Sequence, residues 1–505
     1  MTINPYDQIP YPKYAHCESH PRVLEFMATM FGMQPCAINR ARVLELGCAS
    51  GTNLLPMAQE FPDGSFIGID LSEKQIAAAQ SMAAEASLDN VEFVEGSLHD
   101  IDDSWGHFDY ILCHGVYSWV PAETANEILA VCRRNLTPQG VAMVSYNVYP
   151  GWHFRTIVRD MMLYHVRGIE DPNERVKKAR GIAHFLTENV PAGSAVHAVL
   201  EEQCGLIDKA EDGYLVHDQL ELHNHPLYFR EFVQHAESAG LQYLSEVNFA
   251  AMLASGTPPA VQRAMAGRSL IEVGQYLDFF QNRSFRKSLL CQSEIVIDRS
   301  LRSFSLDQFS LVLTGQPEPL DVDLLSSDAA RFQMPKGGVS AGTPLLKAIM
   351  VCLSEFWPQS TSFDDVYEAV LKKLPDSCRP NKDDGREKVL QLLDTLFRTG
   401  FLDAALHPPR VARMPSDKPL ASLLARTQAR YDSSITTCRH ESIQISKLER
   451  QVLMQLNGQS DQSAIAESLQ RGVSPDDGLP SDEISMQQLV TTTLEKLGQW
   501  ALLVE

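Results

Sequence analysis

The amino-acid sequence predicts an α/β fold built on a doubly wound, mostly parallel sheet. Residues 42–46 have the pattern of a short buried strand, the small residues Gly47, Ala49 and Gly51 follow, and residues 54–61 have the pattern of a helix. Further apolar strands alternate with helices up to about residue 150. Because strands separated by helices form parallel sheets, ligands are expected at the carboxyl ends of these strands.

The loop after the first strand favours a positively charged ligand. Its G-x-A-x-G spacing lets the backbone approach a ligand at a helix N-terminus, but it differs from the G-x-G-x-x-G of dinucleotide-binding folds. Glu45, at the strand end, would repel a pyrophosphate and attract the ammonium and sulfonium of S-adenosylmethionine. Asp70 ends the next strand, where an acid accepts hydrogen bonds from ribose hydroxyls. The alternative is a generic β-turn-α unit with a surface acid.

Length, charge and cysteine content limit the number of domains, the kinds of binding partner and the cellular location that we expect. A chain of 505 residues is expected to hold roughly two to four domains. Its net charge of -21 disfavours binding to nucleic acid or anionic membranes and favours lysine-rich substrates. The ten cysteines form no C-x-x-C pair, which predicts reduced thiols and a cytoplasmic location. No apolar run is long enough to insert into a membrane, and the N-terminus does not resemble a signal peptide.

The remaining elements of the α/β region follow in order. An arm over residues 1–20, which includes Tyr6, precedes a helix at about 21–31 and is either a cover for the cofactor site or packing only. A helix at 73–86 and strands at 91–94, 108–113 and 141–146 are predicted, with a helix at 122–135 ending in a turn at 136–140. Gly96, Ser97 and Leu98 form a small polar turn that would face an adenine edge.

Polar and aromatic residues gather after the fourth and fifth strands. They are His114, Tyr117, Trp119, Tyr146, Asn147, Tyr149 and Trp152. Aromatic rings at one rim of a sheet can form a pocket for a cationic or planar group. The alternative is that some of them are core residues. In particular, Trp119 could pack beneath Pro121 while only Tyr117 meets solvent.

Several segments resemble one bacterial family of S-adenosylmethionine-dependent methyltransferases that carry an appended regulatory domain. They are residues 43–53, 108–111, 114–121 and 145–152, then 217–218 with 226–229, and 278–279 with 282–283 and 285–286. The family includes protein lysine methyltransferases that modify an outer-membrane surface protein. The resemblance implies a Rossmann-like methyltransferase sheet and a homodimer. It departs at Cys48-Ala49, where many members have glycine-rich turns, and it does not fix the substrate.

Pattern and resemblance together assign the candidate site residues. Those expected to bind S-adenosylmethionine are Glu45, Gly47, Cys48, Ala49, Gly51, Asn53, Asp70, Leu71, Gly96, Ser97, Leu98, His114, Gly115 and Val116. Those expected at the acceptor pocket are Tyr117, Trp119, Tyr146 and Asn147, and none of them must be a general base. No metal site is expected, because the histidines at 217, 223 and 225 lack the spacing of a ligand set.

The rest of the chain is divided into four predicted domains and a linker. The segment 151–222 is predicted as a helical insertion that mediates dimerisation, and 223–313 as the remainder of the sheet with the regulatory region. A linker is predicted at 314–342, followed by winged-helix-like domains at 343–410 and 440–505. Few basic residues lie on the recognition helices, so nucleic-acid binding is not expected.

These observations predict an S-adenosylmethionine-dependent methyltransferase that acts on protein lysine side chains. Two alternatives stay open at this point. One is a methyltransferase for a small-molecule acceptor, with the C-terminal domains closing the pocket. The other is a non-catalytic scaffold that senses the cofactor and binds partners through its winged helices.

Overall fold

The first part of the chain leads directly into the sheet. A computed structural model describes residues 11, 13–301, 304–318, 321–335, 337–381, 384–472 and 483–504. Residues 1–10 of the predicted arm, including Tyr6, lie outside the described residues. Helix α1 (Pro21–Met30) follows the arm, as predicted, and His20 caps it by accepting a hydrogen bond from the backbone N–H of Arg22.

Seven strands form a mixed sheet, which confirms the predicted Rossmann-like fold. They are β1 (Arg42–Leu46), β2 (Ser65–Asp70), β3 (Val91–Glu95), β4 (Phe108–Cys113), β5 (Leu136–Asn147), β6 (Leu241–Glu246) and β7 (Phe285–Gln292). Their spatial order is β3-β2-β1-β4-β5-β7-β6. Strands β1 to β5 pair in parallel, and β7 runs antiparallel to β5 and β6. The start of β7 therefore lies beside the carboxyl end of β5.

Helices cover both faces of this sheet. They are α2 (Leu54–Glu60), α3 (Glu73–Glu85), α4 (Ala122–Asn135), α8 (Phe229–Ser238), α9 (Pro259–Met265) and α10 (Leu270–Gln281). Central strands are apolar on both faces, and Val43, Leu44 and Leu46 of β1 are fully buried. This is the pattern of a parallel sheet covered on two sides, where nearly every strand position removes apolar surface from water.

Strand β5 is longer than the sequence predicted. The turn expected at 136–140 is wrong, because Leu136 already pairs with Phe108 and the strand continues to Asn147. A register shift between Phe108 and Tyr110 marks an irregularity there. Pro138 and Gly140 are residues typical of turns, which is why a turn was predicted here, but both are tolerated in a strand next to a bulge.

The segment after β5 is a separate helical layer, as its periodicity predicted. It contains α5 (Gly151–His165), α6 (Pro172–Asn189) and α7 (Ala195–Lys209). These helices have a small core of their own, formed around Val158, Met162, Leu200 and Ile207. The chain then returns to the sheet through α8.

A middle region follows the sheet, and it corrects the predicted linker. It contains β8 (Ser310–Leu313), β9 (Ala330–Met334), β10 (Gly337–Ala341), α11 (Pro344–Phe356), α12 (Phe363–Lys373), α13 (Gly385–Arg398) and β11 (Leu402–Ala405). The linker prediction is wrong over 330–341, where β9 and β10 pair as a hairpin. Phe332 and Met334 are buried and alternate with Arg331 and Gln333, a strand pattern that the surrounding Pro, Ser and Asp residues obscured.

The last region packs against the cofactor half of the sheet. It contains α14 (Leu423–Tyr431), β12 (Ser434–Thr436), β13 (Ser442–Gln444), α15 (Lys447–Leu453), α16 (Gln462–Gly472) and α17 (Glu483–Gln499). The backbone N–H of Leu424 donates to Gln59 of α2 at 2.6 Å, and the Tyr431 hydroxyl donates to Glu85 of α3 at 2.7 Å. No helix within the described residues is long and apolar enough to cross a membrane.

A buried ion cluster joins β6, β7 and α10. Arg286 donates to both oxygens of Asp278 at 2.9 Å and to Glu246 at 2.6 Å. All three side chains are almost completely buried. Because Arg286 is the shared partner of the two acids, it compensates for their removal from water.

We expect Arg286→Leu to destabilise the protein by about 3–5 kcal/mol, since the buried Glu246 would lose its pair with Arg286 and the buried Asp278 would keep only Arg283, 3.4 Å away. The control is Arg268→Leu, which removes a cation from an exposed pair with Glu272. Thermal unfolding should show a much lower midpoint for Arg286→Leu and little change for the control. Equal midpoints for the two variants would contradict this account of the cluster.

Candidate active site

The loop between β1 and α2 is tightly folded. Gly47, Ala49 and Gly51 all have positive φ, at 74°, 47° and 71°. The backbone N–H groups of Gly47 and Cys48 donate to the carbonyl of Ile69 at 2.8 and 3.1 Å. A Cβ atom on Gly47 would lie 2.6 Å from Cγ2 of Val116, which follows β4. The loop therefore requires glycine at this position both for its φ and for the space in front of Val116.

Glu45 is the buried acid of the site. Its Oε1 accepts a hydrogen bond from Asn53 Nδ2 at 2.6 Å, whereas its buried Oε2 has no partner among the described residues. Burial, with a contribution from the charge of Asp70, raises the pKa of Glu45 to about 8. An unpartnered buried carboxyl oxygen fits a cationic group of a ligand, which is the chemistry predicted from the sequence.

Asp70 ties the loops of three neighbouring strands together. Its Oδ2 accepts from the Ala49 N–H and its Oδ1 from the Ser72 N–H, both at 2.9 Å, while its carbonyl accepts from Gly96 N–H at 3.0 Å. This brings the turn of Gly96, Ser97 and Leu98 beside the cofactor loop. Leu71 is 65% exposed next to Asp70 and presents an apolar surface to the same edge.

Two stacked histidines line the rim near β4. His114 follows β4, and its ring lies 3.8 Å from that of His16 in the arm. Burial lowers the pKa of His16 to about 4 and that of His114 well below its usual value, with the charge of Lys287 adding to both shifts. Lys287 of β7 is itself paired with Glu18 of the arm. At this rim the two imidazole rings are therefore uncharged, and the charge of Lys287 is balanced by that of Glu18.

Tyr117 and Trp119, both expected at the acceptor pocket, differ in exposure, and the order is opposite to the alternative in which Trp119 packs and only Tyr117 meets solvent. Tyr117 is buried, and its hydroxyl is 2.5 Å from Nδ1 of His235. Trp119 is half-buried, with its ring 5.7 Å from that of Trp152. The contacts of Tyr117 are those of a packing residue, because the short 3-10 helix Tyr117–Trp119 turns its ring into the core.

The two candidates at the end of β5 are both buried. Tyr146 is only 1% exposed, its ring stacks on Phe232 at 3.8 Å, and its hydroxyl bonds Ser288. These contacts belong to a core residue and differ from the predicted contact with an acceptor. Asn147 is also buried, and its Nδ2 donates to Asn224 at 3.0 Å, while its backbone N–H donates to Ser118 Oγ at 2.9 Å.

Sequence reasoning missed four residues that the structure brings to this edge. They are His16, Glu18, Lys287 and His440. The tyrosine- and proline-rich arm hinted at the first two. Lys287 would have been found by pairing β7 with the end of β5. His440 contacts Asn53 at 2.8 Å from 387 residues away, so no local pattern signals it.

We expect Gly47→Ala to weaken S-adenosylmethionine binding about tenfold, since its methyl group overpacks the loop against Val116 at a cost of about 1–3 kcal/mol. Gly267→Ala is the matched control, because Gly267 lies outside the site and also has positive φ, at 78°, but a Cβ there meets nothing within 4 Å. Calorimetric titration of both variants measures the difference. The interpretation fails if Gly47→Ala and Gly267→Ala bind equally well.

Comparisons with known proteins agree with this geometry. A family described as "Methyltransferase domain" matches residues 43–140. One described as "Predicted methyltransferase regulatory domain" matches residues 211–292, and one described as "PKMT, C-terminal winged helix domain" matches residues 417–502. The three matches lie on the cofactor half of the sheet, on its second half, and on the last region.

Two relatives are similar over nearly the whole chain. The uncharacterized protein RP789 of Rickettsia prowazekii is 34% identical over 476 residues, which is 92% of this chain and 85% of that protein. The structure of PKMT2 from Rickettsia typhi superposes with a TM-score of 0.87 at 30% identity, covering 98% of this chain and 100% of that one. A structure of the same PKMT2 in complex with AdoHcy gives the same TM-score at 29% identity. The chain therefore belongs to the family of RP789 and Rickettsia typhi PKMT2, and it is an S-adenosylmethionine-dependent methyltransferase with a C-terminal winged-helix domain.

Proposed function

We propose that this methyltransferase transfers methyl groups to lysine side chains of a protein substrate. The observation that carries the proposal is the similarity to PKMT2 along the full chain, which includes the PKMT-type winged-helix domain and not only the cofactor domain. A net charge of -21 supports it, because a lysine-rich protein would be attracted to such a surface.

The proposed cofactor contacts follow from the site geometry. Glu45 would hold the ammonium group, the loop from Gly47 to Gly51 would accommodate the ligand against its backbone, and Asp70 would accept from the ribose hydroxyls. Leu71 and the turn at Gly96 would flank the adenine. The histidine at 114 and the loop that follows it would close the site from the side of β4. When bound, S-adenosylmethionine supplies a methyl group on a sulfonium sulfur.

The protein's task is then to position an uncharged amine in line with that group. The lysine nitrogen forms the new N–C bond, the S–C electron pair stays on sulfur, and a proton leaves to solvent. Lysine has a free pKa of about 10.4, so the amine must lose a proton first, and desolvation at the rim favours the neutral form. Trp119 and Asn147 are the residues that we propose shape the acceptor site.

Methyl-labelled S-adenosylmethionine should label lysine Nζ atoms when the enzyme is incubated with a protein extract. Peptide mass spectrometry locates the label. Gly47→Arg is the negative control, because its side chain fills the cofactor loop. Label confined to small molecules would support the metabolite methyltransferase instead, and label in neither pool would indicate a scaffold.

A second variant tests the acceptor site in the same assay. Trp119→Ala should lower turnover at saturating cofactor and leave cofactor affinity unchanged. If this variant weakens cofactor binding and lowers the unfolding temperature together, with turnover per bound cofactor unchanged, Trp119 is structural.

We also propose that the helical layer α5–α7 mediates a homodimer. Its helices expose large apolar side chains at Phe154, Ile157, Tyr164, Phe185, Val196 and Leu206. Apolar surface of this kind on an inserted layer is typical of a protein–protein contact.

All ten cysteines are free thiols, which supports the proposed cytoplasmic location.

Light scattering at micromolar concentration should give the mass of a dimer. Replacing Tyr164 and Phe185 together by glutamate should give a monomer, because charges are costly in an apolar contact. Val296→Glu, at an exposed residue outside this layer, is the control and should stay dimeric. A monomer mass for the unaltered protein at every concentration would contradict the proposal.

A further inference from the structure

The side-chain amide of Asn53 is held by segments that are distant in the sequence. Its Oδ1 accepts from the backbone N–H of His16 at 2.9 Å and from Nε2 of His440 at 2.8 Å. Its Nδ2 donates to Glu45 Oε1 at 2.6 Å and to Ser19 Oγ at 3.0 Å. The amide therefore links the N-terminal arm, the cofactor loop and the C-terminal winged-helix domain.

These contacts allow one orientation of the amide. The Oδ1 atom faces two N–H donors, so a flipped amide would place its NH₂ group against N–H groups and its oxygen against the carboxyl group of Glu45. An amide oxygen only accepts, so His440 must carry a proton on Nε2. Burial near His20, Arg22 and His16 lowers the pKa of His440 well below its usual value, which makes the ring a neutral donor.

His440 is itself held in place. It lies in the turn between β12 and β13 with φ at 62°, and its backbone N–H donates to the Thr437 carbonyl at 2.9 Å. Its ring is buried and packs edge-on against His20, with centroids 4.8 Å apart. The same hairpin contacts the arm, since the Ala15 N–H donates to Ser442 Oγ at 2.8 Å. The donor is thus fixed before any ligand binds.

We propose that His440 is a positioning residue for the cofactor: it fixes the Asn53 amide, which in turn directs the carboxylate of Glu45 toward the ammonium group of S-adenosylmethionine. The inference rests on the proposed contact between Glu45 and the cofactor. It gives the C-terminal domain a part in cofactor binding, because the orienting hydrogen bond comes from its hairpin.

We call the hydrogen bonds from His440 through Asn53 to Glu45 the relay. The relay predicts how binding of the cofactor depends on pH. Burial and the charge of Asp70 raise the pKa of Glu45, while the hydrogen bond from Asn53 lowers it, and the net value is about 8. The thiols of Cys48 and Cys113 also face Glu45, and burial raises the pKa of both, so they stay uncharged. Glu45 is neutral below about pH 8, so affinity for a cationic group rises as the pH increases through that value.

The test measures the Kd of S-adenosylhomocysteine by calorimetry from pH 6 to pH 9. His440→Leu removes the donor, and His440→Gln keeps an N–H donor at a similar reach on the same backbone φ. We expect His440→Leu to raise the Kd about tenfold at pH 7 and to shift the pH dependence upward. Without the donor from His440 the Asn53 amide is less well fixed, which weakens its hydrogen bond to Glu45, a bond that is charge-assisted when Glu45 is ionised. His440→Gln should restore most of the affinity.

Three further variants separate the possible outcomes. Ser442→Ala breaks the contact between hairpin and arm without touching Asn53, and it should bind as the unaltered protein does. Asn53→Ala removes the donor to Glu45 directly, so normal binding by this variant overturns the relay even if His440→Leu folds poorly. Equal losses for His440→Gln and His440→Leu also overturn it. If Glu45→Gln binds normally, the assignment of Glu45 to the cofactor is what fails, and the relay fails with it.

Discussion

A carboxyl group buried at the end of the first strand is the constraint on which the site depends. Taking an ionised carboxylate out of water is costly unless a cation or several hydrogen bonds compensate. The chain supplies Glu45 with one strong donor, from Asn53, and leaves the second oxygen without a described partner. The raised pKa of Glu45 is the result. Without a ligand, the buried carboxyl group of Glu45 is therefore poorly compensated. In the proposed complex the ammonium group of the cofactor would bind the second oxygen, so the cost of burying Glu45 would favour a ligand that carries such a group.

The opposite side of the same edge is organised to carry no net charge. The imidazoles of His16 and His114 are stacked and neutral, and Lys287 is neutralised by Glu18. An amine that approaches this side loses water without meeting an unpaired anion among these residues. Desolvation alone lowers the pKa of an amine, whereas an unpaired carboxylate would raise it. The arrangement thus favours the neutral amine that methyl transfer needs.

Local pattern was sufficient for the sheet and for the residues at its strand ends, because small-residue turns and buried strands leave strong signals in sequence. It was insufficient for side-chain direction. Tyr117 and Trp119 are two residues apart after β4, yet the short 3-10 helix buries the first and half-exposes the second. Local pattern also failed for the hairpin of β9 and β10. The neighbouring residues are rich in Pro, Ser and Asp and suggest a linker, whereas the alternating buried residues Phe332 and Met334 belong to a strand that pairs. A short helical turn decides the first case and strand pairing decides the second, and a single sequence shows neither.

The largest gap between sequence and structure concerns what the winged helix does. A winged helix in isolation suggests a nucleic-acid-binding module, with its hairpin free to contact a duplex. In this chain the β12–β13 hairpin is occupied within the molecule, since His440 bonds Asn53 and Ser442 bonds the arm. Helix α14 likewise contacts Gln59 and, through Tyr431, Glu85 on the cofactor half of the sheet. The winged-helix domain therefore packs against the arm and the cofactor half of the sheet, and the similarity to PKMT2 extends through this domain.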